Sequence, residues 1–86
     1  MSTSSRLDPQ RERALDQLAA GERGVIAGLD NEPSVARRLM ELGLVPGTDV
    51  VMIRRAPLGD PLEITVRGVH LSLRRSEACR INVTPR

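Results

Sequence analysis

Few side chains in this sequence could carry out chemistry on their own. His70 is the only histidine and Cys79 the only cysteine in the 86 residues. Structural zinc takes about four Cys or His ligands and catalytic zinc about three, so this pair predicts no metal site. A lone cysteine also excludes a disulfide within the chain, which fits a reducing compartment. We expect His70 on the polar face of a strand and Cys79 in a small buried position.

Residue patterns typical of enzymes are missing from the sequence. There is no nucleophile with an adjacent base, no pair of carboxylates and no glycine-rich loop for phosphate. The sequence also lacks Phe, Tyr and Trp, so its core must be aliphatic and nucleic-acid bases find no aromatic side chain to stack on. We therefore expect a protein that is not an enzyme and that uses no cofactor.

The basic residues are all arginine: 13 of them face 11 acidic residues, for a net charge of +2. This balance falls short of the concentrated basic patch that nucleic-acid binding requires. Three arginine pairs occur, at Arg37–Arg38, Arg54–Arg55 and Arg74–Arg75. One arginine could act as an arginine finger for a GTPase partner, but a solvated rim is the simpler interpretation. Neighbours on a strand point to opposite faces, so only one arginine of a strand pair can meet a given partner.

The stretch "APLGDP", Ala56–Pro61, is a long connection between two apolar runs. Its two prolines lower the entropy of the unfolded loop, Gly59 permits an unusual φ, and Asp60 can accept hydrogen bonds from nearby N–H groups. Leu58 has no obvious inward direction. Two interpretations stay open: a rigid turn, or a preorganised docking surface. The predicted partner-binding residues are Arg54, Arg55, Ala56, Pro57, Leu58, Gly59, Asp60 and Pro61.

These residues must be positioned by a small set of elements. The clearest helix is "DNEPSVARRLMELGL", with Asp30 or Asn31 as its cap and Pro33 in its first turn. Its apolar face comprises Val35, Leu39 and Leu42, with Ala36 and Met40 beside them. The predicted structural turns are at Gly43, which ends the helix, at Pro46 and Gly47, and at Gly68 in a tight hairpin turn.

Five strands are predicted by buried or alternating apolar runs. They are "GVIAGL", "DVVMIRR", "LEITV", "VHLSL" and "RINV", with Val69, Leu71 and Leu73 of the fourth pointing inward. Between the last two strands, "RRSEAC" predicts a short helical turn capped by Ser76. The order of short antiparallel strands indicates a small closed or half-closed barrel.

The segment "LDPQRERALDQLAAGERG" near the N-terminus has two interpretations. The first is a helix capped by Asp8, with Pro9 in its first turn and Gly21 at its end. The second is a short strand near Ala14–Leu15, followed by one helical turn from Asp16 to Ala20. Residue patterns alone leave both open.

Several of these motifs together resemble the ferrous iron transport protein A (FeoA) family. The matching segments are "RLMELGLVPGT", "APLGDP", "LSLRRSEA" and the final "INV", and the resemblance runs from about Leu15 to Val83. It implies a mainly β fold: a small SH3-like barrel of about five strands, with one α-helix inserted after the first main strand. It also favours the short N-terminal strand. We expect a disordered tail over residues 1–6 and one FeoA-like domain over residues 7–86.

The resemblance further implies a function in bacterial ferrous iron uptake. The chain would be a small accessory protein that binds and regulates the membrane ferrous iron transporter, whose cytosolic part binds GTP. The alternative is a regulatory SH3-like domain related to those of metal-dependent transcriptional repressors. The sequence has no run of about 18 apolar residues and no signal-peptide core, so we expect a cytoplasmic protein that does not insert into membranes and that reaches the inner membrane only through its partner. We expect no nucleic-acid partner, and weak self-association through strand edges.

Overall fold

The structure is a computed structural model that describes residues 11–86. The strands are β1 (Arg13–Ala14), β2 (Arg23–Leu29), β3 (Asp49–Arg55), β4 (Leu62–Val66), β5 (Val69–Leu73) and β6 (Ile81–Pro85). The helices are α1 (Pro33–Glu41) and α2 (Arg75–Ala78), and a 3₁₀ turn spans Leu15–Gln17. The tail predicted over residues 1–6, and the cap at Asp8 with Pro9 after it, lie outside the described residues.

The short N-terminal strand is confirmed, and the helix interpretation of the same segment is wrong from residue 13 onward. β1 lies one residue earlier than expected, and the helical turn after it is the 3₁₀ turn. The Leu18 N–H donates to the Leu15 carbonyl at 3.1 Å, and both leucine side chains are fully buried. The tight turn thus places both leucine side chains in the core.

The strands form one antiparallel sheet in the order β1-β6-β2-β3-β4-β5. The sheet has six strands rather than about five, because the short β1 pairs with β6 as a strand of its own. The ladder shifts register between Ile26 and Gly28 in β2, and between Met52 and Arg54 in β3. Such bulges bend a strand and increase its twist, which is what a small curled sheet requires.

α1 is inserted between β2 and β3, after the first main strand, as predicted. Pro33 occupies its first turn, but neither Asp30 nor Asn31 caps it. The Asp30 carboxylate instead accepts a hydrogen bond from the Asn82 side chain at 3.0 Å, and the Asn31 amide donates to the Glu77 carbonyl at 3.1 Å. These contacts tie the start of α1 to β6 and α2. Neither helix in the described part of the chain has the length and apolarity to cross a membrane.

The core is aliphatic, as the composition requires. Alternate residues of β3, β4 and β6 point into it, and α1 contributes Leu39. The buried apolar residues are Leu15, Leu18, Ile26, Leu39, Leu44, Val50, Met52, Leu62, Ile64, Val66, Leu73, Ala78, Ile81 and Val83. Burying each large aliphatic side chain contributes about 1.5–3 kcal/mol to folding.

Four expectations about individual residues are wrong. Leu42 is 45% exposed because α1 ends at Glu41 and the chain turns at Gly43, so that Leu44 takes the buried position. Val69 is 53% exposed because it lies at the open end of the sheet's last strand. Cys79 is also exposed. Ser76 does not cap α2, since the N-cap residue is Arg74.

Candidate partner-binding surface

The loop Ala56–Pro61 connects β3 to β4 and contains its own hydrogen-bonded turn. The Gly59 N–H donates to the Ala56 carbonyl at 2.7 Å, with Pro57 and Leu58 as the two central residues. Proline at the first central position and glycine at the fourth position are typical of a type I turn. Gly59 has a φ of +85°, and the Asp60–Pro61 peptide bond is cis. The Ala56 N–H then donates to the Pro61 carbonyl at 3.0 Å, which closes the base of the loop.

A third contact fixes the loop to the rest of the domain. The Asp60 carboxylate accepts a hydrogen bond from the backbone N–H of Arg75 at 3.0 Å, at the start of α2. The sequence predicted that Asp60 would bond to backbone, but a partner 15 residues away left no local signal. Beside this contact lies a shallow cleft lined by Asp60, Pro61 and Arg74.

Leu58 projects into solvent from this anchored loop. Its side chain is 93% exposed, the largest value among the exposed large apolar side chains of residues 11–86. The turn leaves it no contact with the core, whereas Leu62, the first residue of β4, is fully buried. The loop is therefore a hydrogen-bonded turn that presents one apolar side chain to the surroundings.

The two arginines that precede the loop have different surroundings. The Arg55 guanidinium donates to the backbone carbonyls of Asp16 and Leu18, the latter at 2.8 Å. Arg55 thus connects the 3₁₀ turn to the end of β3, a contact that no local pattern in the sequence indicates. Arg54 is exposed and lies opposite Glu63 in the β3–β4 register. Of the pair, Arg54 has the side chain that is available to a partner.

The predicted structural turns are where they were expected. Gly43 follows α1 with a φ of +109°, and Gly47 has a φ of +93° in the turn that Pro46 begins. Gly68 and Arg67 form the two-residue turn between β4 and β5, and both have positive φ. These residues reverse the direction of the chain between its helices and strands.

The histidine and the cysteine lie apart on the surface. The His70 ring Nε2 is 3.1 Å from the Glu63 carboxylate on the neighbouring strand, and the Cys79 thiol donates to the Ser76 carbonyl at 3.3 Å. Nowhere in residues 11–86 do three His, Cys, Asp or Glu side chains come close enough together to hold a metal ion.

Glu77 makes the hydrogen bonds and the ion pair that connect the two helices. Its carboxylate accepts the Arg74 backbone N–H at 3.1 Å and pairs with the Arg38 guanidinium. Burial raises the pKa of this carboxyl, but the hydrogen bonds and charges of Arg38 and Arg74 outweigh burial and hold the pKa below its ordinary 4.5. Glu77 thereby joins α1 to the start of α2, the same point at which Asp60 anchors the loop.

Comparison with known proteins places these features in a family. A family model described as "FeoA domain" matches residues 13–85. A protein of Porphyromonas gingivalis named Fe(2+) transport protein A/Fe(2+) transporter FeoB fusion protein is 32% identical over 69 residues. The match covers 80% of this chain and 8% of that much longer relative.

Solved structures agree with this assignment and with the expected barrel. The solution structure of the FeoA protein from Chlorobium tepidum is 46% identical, with a TM-score of 0.81 over 84% of this chain and 69% of that one. Stenotrophomonas maltophilia FeoA, crystallised with zinc and described as a procaryotic SH3 domain protein, is 35% identical. Its TM-score is 0.73, and the match covers 81% of this chain and 87% of that one.

A more distant likeness concerns the fold alone. A manganese-dependent transcriptional repressor shares 19% identity and a TM-score of 0.80 over 87% of this chain and 37% of the repressor. The SH3-like barrel is therefore confirmed by both near and distant structures. The family match over residues 13–85 and the relatives above 30% identity together show that the chain belongs to the FeoA family.

Proposed function

We propose that this chain is a non-enzymatic interaction module that binds the cytosolic part of a membrane ferrous iron transporter and regulates it. The docking surface comprises Arg54 and the loop Ala56–Pro61. The observation that carries the proposal is the nearly complete exposure of Leu58 on a loop fixed by three hydrogen bonds. An apolar side chain that is already held in place loses little entropy on binding, so burying it yields a larger share of its free energy.

The fused relative supports the choice of partner. In the Porphyromonas gingivalis protein, a segment similar to this chain and an Fe(2+) transporter form one polypeptide. Covalent linkage raises the effective concentration of two modules that must meet. The fusion supports a direct contact between the two modules, and an exposed apolar side chain such as Leu58 is suited to make it.

Arg54 and Arg55 have different functions on this surface. The Arg55 guanidinium donates to carbonyls of the 3₁₀ turn, so its function is to stabilise the domain by joining this turn to the end of β3. Arg54 is the rim residue that contacts an acidic or carbonyl group of the partner. The surface is small, so the affinity should be modest and the complex readily reversible.

Binding to the transporter from the same organism, purified in detergent, tests the proposal. The full chain would be immobilised and its affinity measured for wild type, Leu58→Asp and Leu42→Asp. Leu42 is the matched control, since it is also an exposed leucine (45%) but lies at the end of α1. We expect Leu58→Asp to weaken binding by ~10-fold or more, as for a hot-spot anchor, and Leu42→Asp to bind as wild type does.

Two results would contradict the proposal in different ways. If wild-type chain does not bind the transporter, the proposed partner is wrong. If Leu58→Asp binds as tightly as wild type, the partner stands and the loop is not its docking surface. A circular dichroism spectrum of each variant establishes that the fold is retained.

A further inference from the structure

Within residues 11–86, the last strand of the sheet, β5, has one edge that pairs with no other strand. β5 pairs with β4 through five consecutive residue pairs without a register shift, and it ends the strand order. His70 and Ser72 are exposed, and Leu71 is half-buried. β4, which has a neighbour on each side, alternates instead between buried and half-buried residues.

The hairpin turn determines which backbone groups face this edge. Arg67 and Gly68, with φ values of +53° and +79°, form a two-residue turn that Val66 and Val69 close as a hydrogen-bonded pair. Hydrogen-bonded pairs alternate along an antiparallel ladder, so the N–H and C=O groups of His70 and Ser72 point away from β4. No other backbone hydrogen bond among residues 11–86 involves either residue.

The edge of β5 lacks the devices that normally protect a sheet edge. The opposite edge strand, β1, is protected by its shortness, since it has only two residues. Within β5 there is no proline, no bulge and no inward-pointing charge. Arg67 and Arg74 flank the strand but stand outside its five residues. A regular edge of this kind is suited to pairing with another strand.

We propose that two copies of this chain associate by pairing their β5 strands antiparallel about a twofold axis through Leu71. In this register, His70 of each copy lies opposite Ser72 of the other, and their outward N–H and C=O groups form four hydrogen bonds. Leu71 lies opposite Leu71 of the second copy, and such a non-hydrogen-bonded pair brings the two side chains together. This arrangement goes beyond the proposed function and uses different residues from the loop.

The neighbouring registers are less favourable. A shift that centres the axis on His70 places two histidines opposite each other, and a shift that centres it on Ser72 places His70 opposite Arg74. The Leu71-centred register is the one in which both outward-facing residues of β5, His70 and Ser72, pair with outward-facing residues of the other copy, whereas each neighbouring register pairs only one of them in this way. At the strand ends, Arg67 of one copy approaches Arg75 of the other, where the Asp60 carboxylate also lies. Residual repulsion there is screened by salt, so the association is best measured at about 0.5 M NaCl.

Single cysteines identify the register directly. In a Cys79→Ser background, we would compare His70→Cys, Leu71→Cys and Ser72→Cys under mild oxidation. Only residue 71 lies opposite itself, at a Cα separation of about 4.5 Å that suits a disulfide. We expect Leu71→Cys to form a disulfide-linked dimer ~10-fold or more faster than the other two. Equal rates, or a maximum at position 70 or 72, would overturn the proposed register.

Sedimentation of the otherwise native chain tests the association itself. Ser72→Pro removes an outward N–H without removing a bond to β4, whereas Ser72→Ala keeps that N–H. We expect concentration-dependent dimerisation of wild type and Ser72→Ala, and its loss in Ser72→Pro. An ¹H–¹⁵N spectrum shows whether each variant is folded. A wild-type chain that stays monomeric at millimolar concentration, or an unimpaired dimer of folded Ser72→Pro, would refute the proposal.

Discussion

The guanidinium of Arg55 donates a hydrogen bond of 2.8 Å to the backbone carbonyl of Leu18, 37 residues earlier in the chain. A second bond from the same guanidinium reaches the carbonyl of Asp16, a buried acidic residue. The 3₁₀ turn would otherwise leave these carbonyls without partners close to the core. One side chain at the end of β3 therefore fixes how the N-terminal segment lies against the barrel.

Replacing Arg55 should destabilise the domain more than replacing its neighbour. We expect Arg55→Ala to lower the free energy of unfolding by about 1–2 kcal/mol, because charge-assisted hydrogen bonds to two carbonyls are lost. Arg54→Ala, an exposed change on the same strand, should stay within about 0.5 kcal/mol of wild type. Urea denaturation followed by circular dichroism measures both variants. Equal stability of the two would show that the Arg55 contacts contribute nothing.

The end of α1 depends on the left-handed conformation of Gly43. Its φ of +109° is strained for any residue with a side chain, so Gly43→Ala should cost about 1 kcal/mol of stability. Gly28 is the matched control, because a Cβ there meets nothing within 4 Å and its φ is not in the positive region. We expect Gly28→Ala to leave the thermal midpoint unchanged or slightly raised. A Gly43→Ala variant as stable as Gly28→Ala would contradict this account of the helix end.

Glu77 should give the domain a pH-dependent contribution to stability. The pKa of its carboxyl is lower in the folded protein than its ordinary 4.5, so the ionised form stabilises the fold above that pH. This contribution is fully present at neutral pH and is lost as the pH falls from about 4.5 through the lower folded pKa. Glu77→Gln should lower the free energy of unfolding at pH 7 by about 1 kcal/mol. It should also make the free energy of unfolding fall less steeply as the pH is lowered below about 4.5. Chemical denaturation between pH 3 and about pH 7 measures both effects. If the free energy of unfolding falls as steeply at acid pH in Glu77→Gln as in wild type, other carboxyls cause the pH dependence.

Periodicity predicted most of the strands because one face of each is buried. The alternation in β4 and β6 corresponds to buried residues at every second position. The errors occur where an element ends or lies at an edge. Leu42 and Val69 continue an apolar pattern, but the chain turns away at one and the sheet ends at the other, so neither side chain is covered. A pattern indicates which face is apolar and does not indicate how far the neighbouring element extends.

The candidate surface was only partly accessible to sequence reasoning. The prolines and Gly59 indicated a stiff loop, and local turn chemistry suffices for that conclusion. Whether Leu58 packs on its own core or faces solvent depended on where the loop lies over the barrel. The roles of Arg54 and Arg55 were likewise indistinguishable, because adjacent identical residues carry the same local signal and differ only in what lies across from them.

The sequence by itself determined an aliphatic core, the helix between Pro33 and Gly43, the tight turns and the membership of the FeoA family. These follow from composition, from short-range spacing and from backbone preferences, all of which act over a few residues. The tertiary structure alone decided that Arg55 holds the N-terminal turn, that Glu77 joins the two helices and that Leu58 faces solvent. It also decided that one edge of β5 pairs with no other strand of residues 11–86. The contacts of Arg55 and Glu77 join residues far apart in the chain, and only folding brings such residues within hydrogen-bond distance. The exposure of Leu58 and the edge of β5 depend on which elements lie beside them in the folded domain.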